Sequence, residues 1–262
     1  MGASASLRRS VAASIDAPVA ALPWTGEVFA DLGSLGSSPR RVAGWLVAAG
    51  IGAGSRVLDL GCGKGAVAVE VAARCGCEVV GVDGFGAFVE SAREAAARRG
   101  VADLCRFEVG DARDVGARWG GGRRKTFDAA MMIALFAMEE ASAILRRVVR
   151  AGGVSVIDDC VSAGAAASED APYTREEARL VLEEHGDRVE REHVWTPSEV
   201  RRAEGTLQRR IARRVEEVSA REARSRGPLG ELMRRQTAAA AELERDVRPA
   251  MWLVRRGSGG GR

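Results

Sequence analysis

The stretch Val57-Leu-Asp-Leu-Gly-Cys-Gly-Lys-Gly65 decides the fold. A short apolar run carries an acid, Asp59, and three glycines follow at alternate positions, Gly61, Gly63 and Gly65. Glycines so placed let the backbone approach a ligand that any Cβ would exclude. A turn from strand to helix also points unpaired N–H groups at whatever sits there. Eighteen residues after Gly65, a second apolar run beginning at Glu78 closes on Asp83, followed by Gly84. A carboxylate closing a second strand can take both hydroxyls of a ribose. The pair of turns predicts a pocket for an adenosine-containing molecule.

Working outward, the chain alternates short apolar runs with amphipathic ones. Strands are expected at Arg56–Leu60, Glu78–Val82, Cys105–Val109, Phe127–Ile133 and Val154–Asp158. Helices are expected from Ser38-Pro39 to Ala49, Gly65 to Arg74, Phe85 to Arg99 and Glu139 to Arg150. Such alternation means right-handed crossovers and a parallel sheet, with ligands beyond the carboxyl ends of the strands. After the fifth strand come a helix at Thr174–His185, a strand at Val189–Trp195 and a long helix from Thr196-Pro197 to about Arg224. Gly227-Pro228 is read as its break. A further helix, Leu229–Arg245, and a last strand, Met251–Val254, complete the order.

Gly61-x-Gly63-x-x-Ala66 also fits the loose dinucleotide fingerprint, so a nicotinamide or flavin nucleotide is an alternative ligand. Asp59 separates the two. A carboxylate two residues ahead of a pyrophosphate turn would bring like charges together. A ligand with an ammonium and a sulfonium suits it, and that ligand is S-adenosylmethionine. In Val57–Asp83 the chain resembles the class I S-adenosylmethionine-dependent methyltransferase superfamily. It is also similar to bacterial members with an Ile-Asp-Asp run after the fifth strand, as at Ile157–Asp159, and a long Arg/Glu-rich helix near the end.

The resemblance implies an α/β fold: a Rossmann-like, doubly wound, seven-stranded, mostly parallel sheet. Its seventh strand runs antiparallel between the fifth and sixth. The C-terminal helical pieces become an insertion between strands 6 and 7, residues 197–246, read as a lid. The expected organisation is a disordered leader at 1–21, a methyltransferase domain at 22–256 and a disordered tail at 257–262.

The resemblance also assigns cofactor contacts. Asp59, Gly61, Cys62, Gly63 and Gly65 match the first motif, with Asp59 toward the methionine ammonium and the glycines admitting the methionine chain. Asp83, with Gly84, matches the ribose-binding acid. Asp111 would accept from the adenine amino group and the Ala112 N–H would donate to the ring, although Asp111 could equally cap the turn it opens. Met132, Ile133 and Ala134 occupy the stretch that packs on the adenosine, where a core role is an equal alternative. For catalysis, Asp158 and Asp159 close the fifth strand in the right layer. Two adjacent carboxylates there could orient a hydroxyl or amine or raise one another's pKa; alternatively one caps the next segment and the other is solvated. Tyr173, the sole tyrosine, and His185 and His193, the two histidines, are further candidates. Catechol-type members bind magnesium with acids after strands 4 and 5. Ala134-Leu135-Phe136 offers none, so no metal is expected.

Composition bounds the rest. The 262 residues are 46% hydrophobic and 29% charged, as in a globular chain with one sizeable core. Lysine occurs only at Lys64 and Lys125, and the arginine, alanine and glycine bias suggests a GC-rich bacterial genome. No apolar run is long enough to span a bilayer, and no secretory signal is read at the start. The five cysteines have no zinc-like spacing and read as reduced, which suggests the cytoplasm. Net charge is +3, but residues 197–262 hold 16 arginines against 9 acids.

The leading expectation is methyl transfer to a small-molecule acceptor, with no membrane partner. The alternatives are methylation of RNA or protein through the basic C-terminal helices, and a non-catalytic cofactor-binding protein.

Overall fold

A computed structural model describes residues 5–33, 38–115, 127–164, 172–245 and 247–257. The Gly/Arg loop at 119–125 and the tail from 258 lie outside the described residues.

Seven strands form one sheet: β1 Arg56–Leu60, β2 Glu78–Asp83, β3 Cys105–Val109, β4 Phe127–Met132, β5 Val149–Ser162, β6 Arg188–Val194 and β7 Val247–Arg255. Their spatial order is β3-β2-β1-β4-β5-β7-β6. The pairs from β3 through β5 are parallel, and β7 runs antiparallel to both β5 and β6. This is the expected topology. Chain order reverses between β1 and β4, which opens a crevice above their carboxyl ends. Val57 and Leu58, on opposite faces of β1, are both fully buried, as a strand covered on both faces requires.

Helices flank the sheet. On one side α3 (Pro39–Ala48), α4 (Ala66–Cys75) and α5 (Gly86–Arg99) pack through Leu46, Val71 and Val89. On the other, α6 (Met138–Val148) and α7 (Arg175–Glu183) pack through Leu145 and Leu182 against Trp252 of β7. Gly65 and Gly76, both left-handed, bound α4. The Thr174–Glu177 capping box starts α7. Ser38 makes no side-chain capping bond to α3; its carbonyl begins the helix.

A third cluster caps the sheet. It joins α1 (Ala5–Ser14) and α2 (Leu22–Val28) to α8 (Pro197–Arg221) and α9 (Arg226–Arg245). Residues 5–14, expected as loose leader, are therefore helical. The Ala/Ser composition hides an i, i+4, i+8 stripe of Leu7, Val11 and Ile15, and Ile15 reaches the cap core with Leu22, Phe29, Ile211 and Leu232. Gly227-Pro228 also reads differently. Both lie in the first turn of α9, where proline is tolerated, and the break falls earlier, at extended Glu222. β5 is longer than expected because its second half keeps pairing with β7 after β4 has ended, from Asp158 opposite Met251 to Ser162 opposite Val247.

Candidate functional site

The glycine turn closes β1 onto α4 as its spacing requires. The Gly61 and Cys62 N–H groups donate to Val82 O (2.8 and 3.1 Å), tying the turn to β2. Gly61, Gly63 and Gly65 all have positive φ. At Gly65 a Cβ would stand 2.9 Å from that of Ala92, so the helix–helix approach excludes a side chain. At Gly63 a Cβ would meet nothing within 4 Å, so the backbone there borders open space.

Two acids face this turn. Asp83 holds it in shape: Gly63 N–H donates to Oδ2 (2.9 Å) and Phe85 N–H to Oδ1 (2.8 Å). Burial pushes its pKa up, and the two N–H donors oppose that. Asp59 is 3% exposed, and its Oδ2 has no hydrogen-bond partner. Burial, and then the nearby charge of Asp83, push its carboxyl up to about 7. A buried carboxylate oxygen with nothing to accept from is costly unless a ligand supplies a donor. An ammonium is such a donor, so these residues fit the methionine end of S-adenosylmethionine.

The other expected contacts line the same crevice: Cys62, Gly84, Asp111, Ala112 and Ile133. Cys62 is buried, and its thiol is pushed well up by burial and by the two acids. Asp111 Oδ1 accepts from Arg113 N–H (2.9 Å), capping the short turn Ala112–Asp114. The turn-capping role is thus present, beside the crevice-lining one. Ala134 has φ +53, a left-handed position rare for alanine, and its N–H donates to Asp158 Oδ1 (2.5 Å). That bond fixes the loop after β4 over the crevice, with Leu135 Cδ2 3.0 Å from where a Gly61 Cβ would be.

Sequence reasoning missed the cover. Leu7, Val11, Ser14 and Ile15 of the α1 segment, and Phe29 after α2, wall the crevice. Leu7 and Val11 lie so close over Gly84 that a Cβ there would come within 2.8 Å of each. The crevice encloses about 130 Å³, below the roughly 300 Å³ of ordinary ligand pockets. Lys64, inside the glycine turn, donates to Phe29 O and lies 5.5 Å over the Phe88 ring, so it fastens the cover to the turn. The spacing of Leu7, Val11 and Ile15 is the signal that could have revealed this.

A second cavity of about 650 Å³ adjoins the crevice and shares Ser14, Ile15, Phe29 and Ala134–Phe136 with it. Asp158 and Asp159 line it, as do α8, α9 and Trp195. Their environments differ. Asp159 accepts from Met138 N–H with Oδ2 (2.9 Å), at the start of α6, and from Cys160 N–H with Oδ1 (2.7 Å). Asp158, beyond its bond to Ala134, is pushed up to about 7, mainly by burial. The remaining candidates are elsewhere. Tyr173 donates to Glu139, His185 is exposed after α7, and His193 packs edge-on to Trp195 at 4.7 Å. Among the described residues no cluster of three or more metal-type side chains is arranged around a common point, and no helix is long and apolar enough to cross a membrane.

A family model described as a methyltransferase domain matches residues 57–153. No curated protein matches the chain. Among solved structures, the S-adenosylmethionine-dependent methyltransferase from Thiobacillus denitrificans, in complex with S-adenosyl-L-homocysteine, is similar at TM-score 0.70. The identity is 18%, over 87% of this chain and 96% of that one. A methyltransferase from Geobacter sulfurreducens, also with S-adenosyl-L-homocysteine, gives TM-score 0.67 at 20% identity over 83% and 90%. The [4+2]-cyclase SpnF gives 0.64 at 20% over 84% and 81%. At such identities the likeness is one of fold.

Proposed function

We propose that the chain is a class I S-adenosylmethionine-dependent methyltransferase that binds S-adenosylmethionine and methylates a small-molecule acceptor held in the second cavity. The observation that supports this is the open-mouthed cavity of about 650 Å³ sharing a wall with the cofactor crevice. That is the size of a small-molecule pocket.

The geometry supports the following cofactor-holding roles. Asp59 Oδ2 receives the methionine ammonium. The Gly61–Gly65 turn admits the methionine chain over Gly63. Asp83 keeps its two backbone donors and offers its remaining lone pairs to the ribose hydroxyls. Asp111 and Ala112 border the adenine, with Ile133 against its face. When bound, the cofactor supplies a methyl carbon already activated by positive sulfur. The protein's task is then alignment of acceptor and methyl group. The loop Ile133–Phe136, pinned by Asp158, borders both spaces and sets their relative position. Asp159 holds the start of α6 and is a positioning residue.

The basic C-terminal helices argue against a nucleic-acid face. Arg213 and Arg214 of α8 pair with Asp31 at 2.6 and 3.0 Å, and Arg221 pairs with Glu27. Those charges hold the cap together.

Incubation with methyl-labelled S-adenosylmethionine and separated host metabolites, RNA and protein tests the proposal. Label is expected in a metabolite fraction. Label in RNA or protein alone would reject the acceptor class, and label that never leaves the cofactor would favour the non-catalytic alternative.

A further inference from the structure

The lining of the acceptor cavity is electrically one-sided. Asp16, Asp158, Asp159, Glu204 and Glu242 all contribute to it. Among the described residues that line it there is no lysine, arginine or histidine. This occurs in a chain with 39 basic residues against 36 acidic ones. The acids also come from separate places: the turn after α1, β5, α8 and α9. Several arginines around it have partners of their own, and of these Arg235 also acts on Asp16, its charge opposing the rise of that carboxyl's pKa. Arg41 stacks over Trp195 at 5.5 Å and pairs with Glu199. Arg113 bonds Glu140 and Ser10. Arg235 bonds Glu231, and Arg248 donates to the carbonyls of Leu243 and Val247.

We propose, on the premise that this cavity holds the methyl acceptor, that it selects a cationic amine: a small molecule entering as its ammonium form and held among Asp158, Glu242 and Asp16. Apolar surface for the rest of the molecule comes from Phe29, Phe136, Trp195 and Leu207. An anionic acceptor would meet five carboxylates.

The local electrostatics agree. Burial pushes the carboxyls of Asp16, Asp158 and Asp159 up. Cys160, which lines the same wall, has its thiol pushed up to about 12, by burial first and then by Asp159, Asp158 and Glu242. Asp158, Asp159 and Glu242 therefore act on one stretch of the wall, at Cys160, and a cation bound there would relieve them. Asp158 then has a second role. An ammonium nitrogen has no lone pair to give, so its proton must leave before methylation. A carboxyl pushed up to about 7 is a suitable acceptor for that proton near neutrality. The freed lone pair forms the new N–C bond as the S–C bond breaks, its electron pair returning to sulfur.

Binding can be measured without chemistry. The full chain, saturated with S-adenosyl-L-homocysteine, is titrated calorimetrically with matched sets such as tryptamine, tryptophol and indole-3-acetate, extended to aliphatic mono-, di- and polyamines. The best amine is expected to bind at least about tenfold tighter than its matched alcohol, with its matched carboxylate weaker still. Glu242→Gln, on the exposed α9, should remove most of that preference, and Asp158→Asn should remove the rest. The affinity for S-adenosyl-L-homocysteine should change less than about twofold in Glu242→Gln. Equal affinities across a set, tighter carboxylates or no amine bound from the whole panel would overturn the proposal. Failure of the broader reading is visible separately, as loss of S-adenosyl-L-homocysteine binding or as label transferred only to macromolecules.

Discussion

The two spaces above the sheet are built in opposite ways. The cofactor crevice is made mainly at consecutive strand ends, from Asp59 through Asp83 to Ala112, with Asp83 and Asp111 bonded to the backbone N–H groups of the adjoining turns. The acceptor cavity gathers residues from 13 to 249, joined through the cap of α1, α2, α8 and α9. A motif can write the first because its geometry is local. The second depends on which distant helices meet. Each space nevertheless contains a buried acid pushed up to about 7: Asp59 in the crevice and Asp158 in the cavity. The pair can be separated by experiment.

The largest expected effect is on stability against pH. For Asp59 and Asp158 the folded pKa lies above the ordinary value of 3.8. Between about pH 4 and pH 7 the native protein therefore binds more protons than the unfolded chain, so stability falls as pH rises and levels off above 7. For the nearly fully buried Asp59 this amounts to about 4 kcal/mol at most. Urea midpoints at pH 5 and pH 7.5 should show the fall, and Asp59→Asn should flatten its share. Binding S-adenosyl-L-homocysteine near pH 6 should release a proton, read from the buffer dependence of the calorimetric heat. The release should vanish in Asp59→Asn and persist in Asp158→Asn. Release lost in both variants would merge the two spaces into one.

Asp83→Ala comes next. It removes two backbone bonds to a charged acceptor together with the proposed ribose contacts. The cofactor affinity should drop about 100-fold, or about 3 kcal/mol, whereas Asp159→Ala should change it less than about threefold. Equal effects would mean that the crevice assignments are wrong.

Gly81→Val tests the crevice's foundation. A Cβ at Gly81 would lie 2.5 Å from Phe107 Cδ1, so overpacking should cost about 2 kcal/mol in denaturant unfolding. The cavity-side counterpart is smaller. Asp159→Asn weakens the bonds at the start of α6 and should cost about 1 kcal/mol. If Asp159→Asn proves the more damaging, β5 and α6, rather than the glycine turn, carry the rigidity of the site.

These effects follow what could be read from residues alone. β1 and β3 were expected at their observed bounds, and the antiparallel seventh strand at its observed place. β1 is a mostly apolar run, β3 alternates apolar with charged residues, and both are ended by turn residues, a local signal. Asp59 and Asp83 were likewise legible, because an acid at a strand end beside glycines has few other uses. Asp158 and Asp159 were found as a pair but not told apart. Their difference lies in whose N–H each accepts, Ala134's or Met138's, and that depends on the loop after β4. The α1 cover was misread because an Ala/Ser-rich segment has little helical signal without its partners Ile211, Leu229 and Leu232.

From residue order alone came the alternating strands, the glycine turn and the acids that face it, because backbone sterics and strand periodicity act over a few neighbours at a time. The tertiary structure alone decided that residues 5–33 close over the turn, that the arginines of α8 serve Asp31 and Glu27, and that five carboxylates share one cavity. Burial, pairing and shifted acidity are properties of assembled neighbours, and those neighbours lie up to 230 residues apart along the chain.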